Sequence, residues 1–145
     1  MIVLDTNIVS AMMRSPVDEP VVAWLGRRAD DVLAITVVTV MEIRHGLDRL
    51  PDGRRRSSLK ARFEEIVSSS SGFDVLDLDE PSARRAGAFL AVRDSVGRPA
   101  QEADMMIAGI VASVGATLAT RDVGDYVGLA SPIETPYQDG SKEGA

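Results

Sequence analysis

Ile2-Val3-Leu4 is an unbroken apolar run that ends on a carboxylate, Asp5, and passes at once through Thr6-Asn7 into a second apolar pair, Ile8-Val9. A short continuous run of this kind suits a strand covered on both faces, so residues 2–5 are expected as a first buried strand. A short helix over 7–14 follows, capped by Thr6 or Asn7, whose side chains can accept free backbone N–H groups, and stopped by Pro16. A second helix over 20–28 places Val21, Val22 and Leu25 on one side with Trp24 beside them. The run 32–36 reads as another buried strand, leading into a helix that carries Val38, Met41 or Glu42, and later Leu47 and Leu50. After the break at Pro51-Asp52-Gly53, residues 54–70 form an amphipathic helix with Leu59, Phe63, Ile66 and Val67 inward and a basic outer face.

The second half keeps the same rhythm. Residues 73–78 alternate apolar and acidic positions as a strand with one covered face, followed by a helix over 81–96 that ends at Gly97-Arg98-Pro99. A helix over 101–114 turns Ile107, Ile110, Val111 and Val114 to the core, a strand over 117–120 ends beside Asp122, and 130–133 are expected as an edge strand. Strand–helix alternation of this kind predicts an α/β sandwich on a parallel sheet, with its ligand pocket beyond the C-terminal ends of the strands. Residues 1–135 are read as one domain and 136–145 as a polar tail.

At 145 residues and 45% hydrophobic content, the chain has enough apolar surface for one real core. Cysteine is absent, which removes disulfides, thiolate nucleophiles and Cys-ligated zinc, and leaves oxygen ligands or the single His45 for any metal. No apolar run reaches the ~18 residues of a membrane span, and a cytoplasmic protein without a membrane partner is expected. The net charge of −6 argues against nonspecific nucleic-acid binding, but acids clustered around bound cations would present a different local surface.

Four acids sit among apolar neighbours: Asp5, Glu42 in Val40-Met41-Glu42-Ile43, Asp104 in Ala103-Asp104-Met105, and Asp122 in Ala119-Thr120-Arg121-Asp122. An ionised carboxylate is costly to bury unless it is protonated, hydrogen-bonded, paired or bound to a cation. Four such acids on the ends of strands and the starts of helices can together hold hard divalent cations, and phosphodiester hydrolysis is chemistry that needs them.

The segments Met1-Ile2-Val3-Leu4-Asp5-Thr6-Asn7-Ile8, Thr39-Val40-Met41-Glu42-Ile43-Arg44-His45-Gly46-Leu47, Ala103-Asp104-Met105-Met106-Ile107-Ala108 and Ala119-Thr120-Arg121-Asp122 resemble, in order and spacing, the motifs of PIN-domain ribonucleases. The resemblance covers nearly the whole chain and leans to the VapC and FitB-like toxins of type II toxin–antitoxin modules. It implies a PIN-like three-layer α/β/α sandwich with a central, mainly parallel sheet. It also implies an endoribonuclease dependent on Mg²⁺ or Mn²⁺, a homodimer, and a small DNA-binding antitoxin of the VapB or FitA kind as partner. Carried over by position, Asp5, Glu42, Asp104 and Asp122 are the catalytic and metal-binding acids. Many relatives carry Asn at the position of Asp122 and an acid three residues later, which here is Asp125. Thr6, Asn7 and Thr120, with Asp125, are the candidates for orienting groups around the metal.

Each residue has a plainer role to set beside this one. Asp5 and Asp122 could be a helix cap and a turn residue, and Glu42 and Asp104 acids favoured in a first helical turn. His45, one turn after Glu42, is assigned a surface or structural role, and Trp24 with Met12-Met13 to packing or dimer contact. Arg54-Arg55-Arg56 with Lys60 and Arg62 are read as a solvated helix face, with contact to RNA phosphates as the alternative. A nucleotide-binding domain would need a glycine-rich loop after the first strand, and a receiver domain a second Asp where Asn7 stands. The remaining rival is a catalytically weak module of the same fold, acting through antitoxin or nucleic-acid binding.

Overall fold

Residues 1–137 are described by a computed structural model. The elements are β1 (Ile2–Leu4), α1 (Thr6–Met12), α2 (Glu19–Arg27), β2 (Leu33–Thr36), α3 (Val37–Asp48), α4 (Arg54–Val67), β3 (Asp74–Leu76), α5 (Glu80–Ser95), α6 (Glu102–Val114), β4 (Thr117–Ala119) and β5 (Ile133–Glu134). The strands form one sheet in the order β3-β2-β1-β4-β5, and every pairing is parallel. The expected three-layer α/β/α architecture is therefore the observed one.

Alternation along the central strands divides the apolar side chains between two cores. Ile2, Leu4 and Ile35 face one side, where they pack with Ile8 and Val9 of α1, Val21 and Trp24 of α2, Ile43 and Leu47 of α3 and Phe63 and Ile66 of α4. Val3, Ala34 and Leu118 face the other, against Met105, Ile107, Ile110 and Val111 of α6. Gly109 lets α5 and α6 approach closely, because a Cβ there would overlap the Ser82 carbonyl oxygen and lie 3.0 Å from the Ala86 nitrogen. Among the described residues no helix is long and apolar enough to cross a membrane.

Several local expectations shift. The cap of α1 is Asp5 rather than Thr6 or Asn7, since its carboxylate accepts from the Thr6 N–H. Val22 and Val114 are half exposed, and Met41 points away from the core while Glu42 is half-buried. The edge strand is Ile133–Glu134, not 130–133, because Leu118 and Ala119 pair with those two residues. Glu134 is held from outside the sheet by the Trp24 indole N–H at 2.8 Å and by an ion pair with Arg28. Of the tail assigned to 136–145, residues 138–145 lie outside the described ones. Tyr137 donates its hydroxyl to Asp18 at 3.1 Å and stacks on Arg121 at 4.6 Å.

Candidate active site: an acidic cleft where the strand order reverses

From β1 the chain builds outward through β2 to β3, then crosses back to place β4 on the other side of β1. Connections that leave neighbouring strands in opposite directions open a crevice beyond their C-terminal ends. Asp5 follows β1 and Thr120 follows β4 at this point. A cleft of about 320 Å³ lies there, lined by Asp5, Glu42, Asp104, Asp122 and Asp125 together with Thr6, Asn7 and Tyr126. Five acids from four separate stretches of the chain thus meet in one place.

Asp5 is only 4% exposed, and both of its oxygens are engaged. Oδ1 accepts from the Thr6 N–H at 2.8 Å, while Oδ2 accepts from the Thr120 hydroxyl at 2.7 Å and the Tyr126 hydroxyl at 3.2 Å. Burial pushes its pKa up and the Glu42 charge adds to the rise, against these three hydrogen bonds, which favour the charged form. Asp5 thus caps α1 and at the same time faces the cleft.

Thr6 gives its single hydroxyl proton to Glu42 Oε1 at 2.7 Å, so the Thr39 hydroxyl, 3.0 Å from it, must be the donor in that second contact. Asn7 grips the loop after β4 with both ends of its amide: Nδ2 donates to Asp122 Oδ2 at 3.0 Å and Oδ1 accepts from the Arg121 N–H at 3.3 Å. Thr120 ties the two halves together, since its hydroxyl oxygen also accepts the Asp122 N–H at 3.0 Å. Asp125 lies in the single-turn helix Val123–Asp125 on the cleft's rim.

Asp104, in the first turn of α6, has a pKa raised to about 6 by burial, with the charges of Asp5, Glu42 and Asp125 adding to it. The adjoining Tyr126 hydroxyl acts the other way.

Among the described residues no three carboxylates are already placed to ligate a common ion. The donor set nonetheless fits a hard divalent cation: its possible ligands are oxygens of carboxylates, hydroxyls and the Asn7 amide, and five carboxylates outnumber the two arginines, Arg14 and Arg121, on the same cleft. Asp5, Glu42, Asp104 and Asp122 are the residues that would hold it.

Tyr126, Thr39, Ser10, Arg14 and Arg121 were not among the residues expected here. Tyr126 gave one sequence signal, a lone aromatic directly after the turn-like Asp122-Val123-Gly124-Asp125 stretch, and it is 1% exposed. His45 is exposed and does not line the cleft. Trp24 and Met13 are core residues, in keeping with the packing role.

The family model described as PIN domain matches residues 2–124. The chain belongs to the PIN domain family. Among its relatives, the VapC ribonuclease Y4jK of Sinorhizobium fredii is 31% identical over 95% of this chain and 99% of that protein. The toxin FitB of Neisseria gonorrhoeae is 30% identical over 96% of this chain and its own full length. In the solved structure of FitAB bound to IR36 DNA fragment, the matched chain superposes with a TM-score of 0.81 at 29% identity, covering 95% of this chain and 96% of that one. This PIN domain is thus a homologue of VapC and FitB toxins.

Proposed function

We propose that the protein is the toxin of a toxin–antitoxin pair, an endoribonuclease that hydrolyses RNA phosphodiester bonds with Mg²⁺ or Mn²⁺ bound in the acidic cleft. The observation that carries the reading is the convergence of Asp5, Glu42, Asp104 and Asp122 on one crevice from four separate parts of the chain. The bound cation would supply Lewis-acid charge to the phosphoryl group and make water a better nucleophile. Asp5, Glu42, Asp104 and Asp122 supply its carboxylate oxygens, Thr6, Asn7 and Thr120 orient three of them, and Asp125 adds negative charge at the rim. Water cleaves one P–O bond of the chain, leaving a phosphate monoester on one fragment and a hydroxyl on the other.

A small DNA-binding antitoxin would silence the site, and the likeness to FitB and to FitAB bound to DNA supports such a partner. An antitoxin Arg placed between the carboxylates would substitute its charge for the cation's, because a planar guanidinium can engage two carboxylate oxygens. We place the protein in the cytoplasm, where RNA is found, and as a homodimer. One observation favours the rival, a catalytically weak binding module: the described acids do not already converge on a common ion.

Induced expression of the chain alone, against Asp5→Asn, discriminates between the two. The nuclease reading expects growth arrest and new RNA fragments from the wild type, neither from Asp5→Asn, and rescue by coexpression of a neighbouring small gene whose product copurifies. Equal arrest by both forms, with intact RNA, would favour the binding module.

A further inference from the structure

A second cleft, of about 470 Å³, lies next to the acidic one and has the opposite character. Arg14, Arg55, Arg62, Ser58 and Leu59 line it, and no Asp or Glu does. Three cationic side chains around an acid-free groove stand out in a chain whose net charge is −6. Arg14 lines both clefts and so marks their junction.

The arginines of α4 divide into two kinds. Arg56 is neutralised by Asp52 at 2.5 Å and Asp48 at 3.3 Å. Its neighbour Arg55 has no carboxylate within 4.0 Å among the described residues, and neither has Arg62, which gives one N–H to the Met13 carbonyl at 2.6 Å. Arg14 meets Asp18 only at 3.8 Å and is 55% exposed. Arg55 and Arg62 are two turns apart on one face of α4, about 10 Å along its axis, which spreads the charge along the groove. Ser58 lies between them with a hydroxyl able to donate to a phosphate oxygen.

We infer that this groove is an RNA-backbone subsite: Arg55 and Arg62 bind phosphates of the strand next to the bond being cut, with Arg14 at the crossing into the acidic cleft. The inference rests on the nuclease reading for the identity of the strand, and on charge complementarity for its place. It explains how an acidic protein can hold a polyanion, since attraction is confined to the strip beside the carboxylates. Phosphate contacts of this kind position a strand without reading its sequence.

The test is equilibrium binding of a fluorescent single-stranded RNA to the full-length protein in EDTA, repeated between about 50 and about 200 mM salt. Each lost phosphate contact should lower the slope of log affinity against log salt by about 0.7. Arg55→Gln and Arg62→Gln should each do so, equally for RNAs of unrelated sequence, and Arg55→Lys should keep the wild-type slope. Arg55 carries the decision, because Arg62 also supports the end of α1. An unchanged slope in Arg55→Gln overturns the subsite even if the protein cleaves RNA. A lowered slope in a protein that cuts no RNA when Mg²⁺ or Mn²⁺ is returned keeps the subsite and defeats the nuclease reading. Unchanged RNA binding with loss of binding to a poly-glutamate peptide also overturns it, and assigns the groove to an acidic protein segment.

Discussion

Asp104→Asn should stabilise the metal-free protein at neutral pH while abolishing its chemistry. The folded protein holds the Asp104 proton with a pKa of about 6, against an ordinary 3.8, because the group is half-buried beside Asp5 and Glu42. A raised carboxylate pKa means that the folded state binds this proton more tightly than the unfolded chain does. Stability is therefore lost as pH rises from about 4 to about 6, and the full loss applies at pH 7. At about 1.36 kcal/mol per pKa unit the gap amounts to about 3 kcal/mol, and solvent screening of a half-exposed group reduces it to about 1–2 kcal/mol. Asparagine keeps the volume and carries no charge. Thermal unfolding followed by circular dichroism in EDTA should show Tm higher by about 3–7 °C at pH 7.5, with the gain shrinking towards pH 4. A variant less stable than the wild type at pH 7.5, or a gain independent of pH, would refute the burial and the neighbouring charges as the source of the raised Asp104 pKa.

Three further outcomes follow from particular contacts. Gly109→Ala should cost about 1–3 kcal/mol in denaturant unfolding, because the new methyl group meets backbone of α5 that cannot swing aside; an unchanged midpoint would contradict this. Tyr126→Phe deletes one of the donors to Asp5, so the Mg²⁺ concentration needed for half-maximal cleavage should rise; an unaltered requirement would reduce Tyr126 to packing. Ca²⁺ should bind without supporting comparable turnover, since it tolerates looser geometry and more ligands than Mg²⁺. Equal rates with the two ions would show that tight ligand geometry is not needed.

The strand–helix order was legible because Val3, Leu4, Ala34 and Ile35 are fully covered, and full burial leaves an uninterrupted apolar signature. The edge strand was not, because Ile133–Glu134 is two residues long and Glu134 is fixed by Trp24 and Arg28, more than a hundred positions away. Val22 and Val114 satisfied helical periodicity without reaching the core, which shows that spacing defines a face but not what covers it. The acids declared themselves through their apolar surroundings. Of their supports, Thr6, Asn7 and Thr120 were legible beside the acids, but Tyr126 and Thr39 were not: Tyr126 reaches Asp5 across 121 positions and Thr39 reaches Thr6 across 33, separations that no local pattern encodes. The basic residues of α4 read as a solvated face with RNA contact as the alternative, and which of them are free to make that contact was not legible, since ion pairing distinguishes Arg55 from Arg56 only once α3 and α4 are in place.

Chelation and return of the metal tests the central claim most directly. Purified protein, stripped with EDTA, should leave single-stranded RNA intact, regain cleavage with Mg²⁺ or Mn²⁺, and fail to regain it as Asp5→Asn, Glu42→Gln or Asp104→Asn despite a native circular dichroism spectrum. Cleavage that persists undiminished in excess EDTA, or that survives in all three variants, would contradict a cation held by these carboxylates.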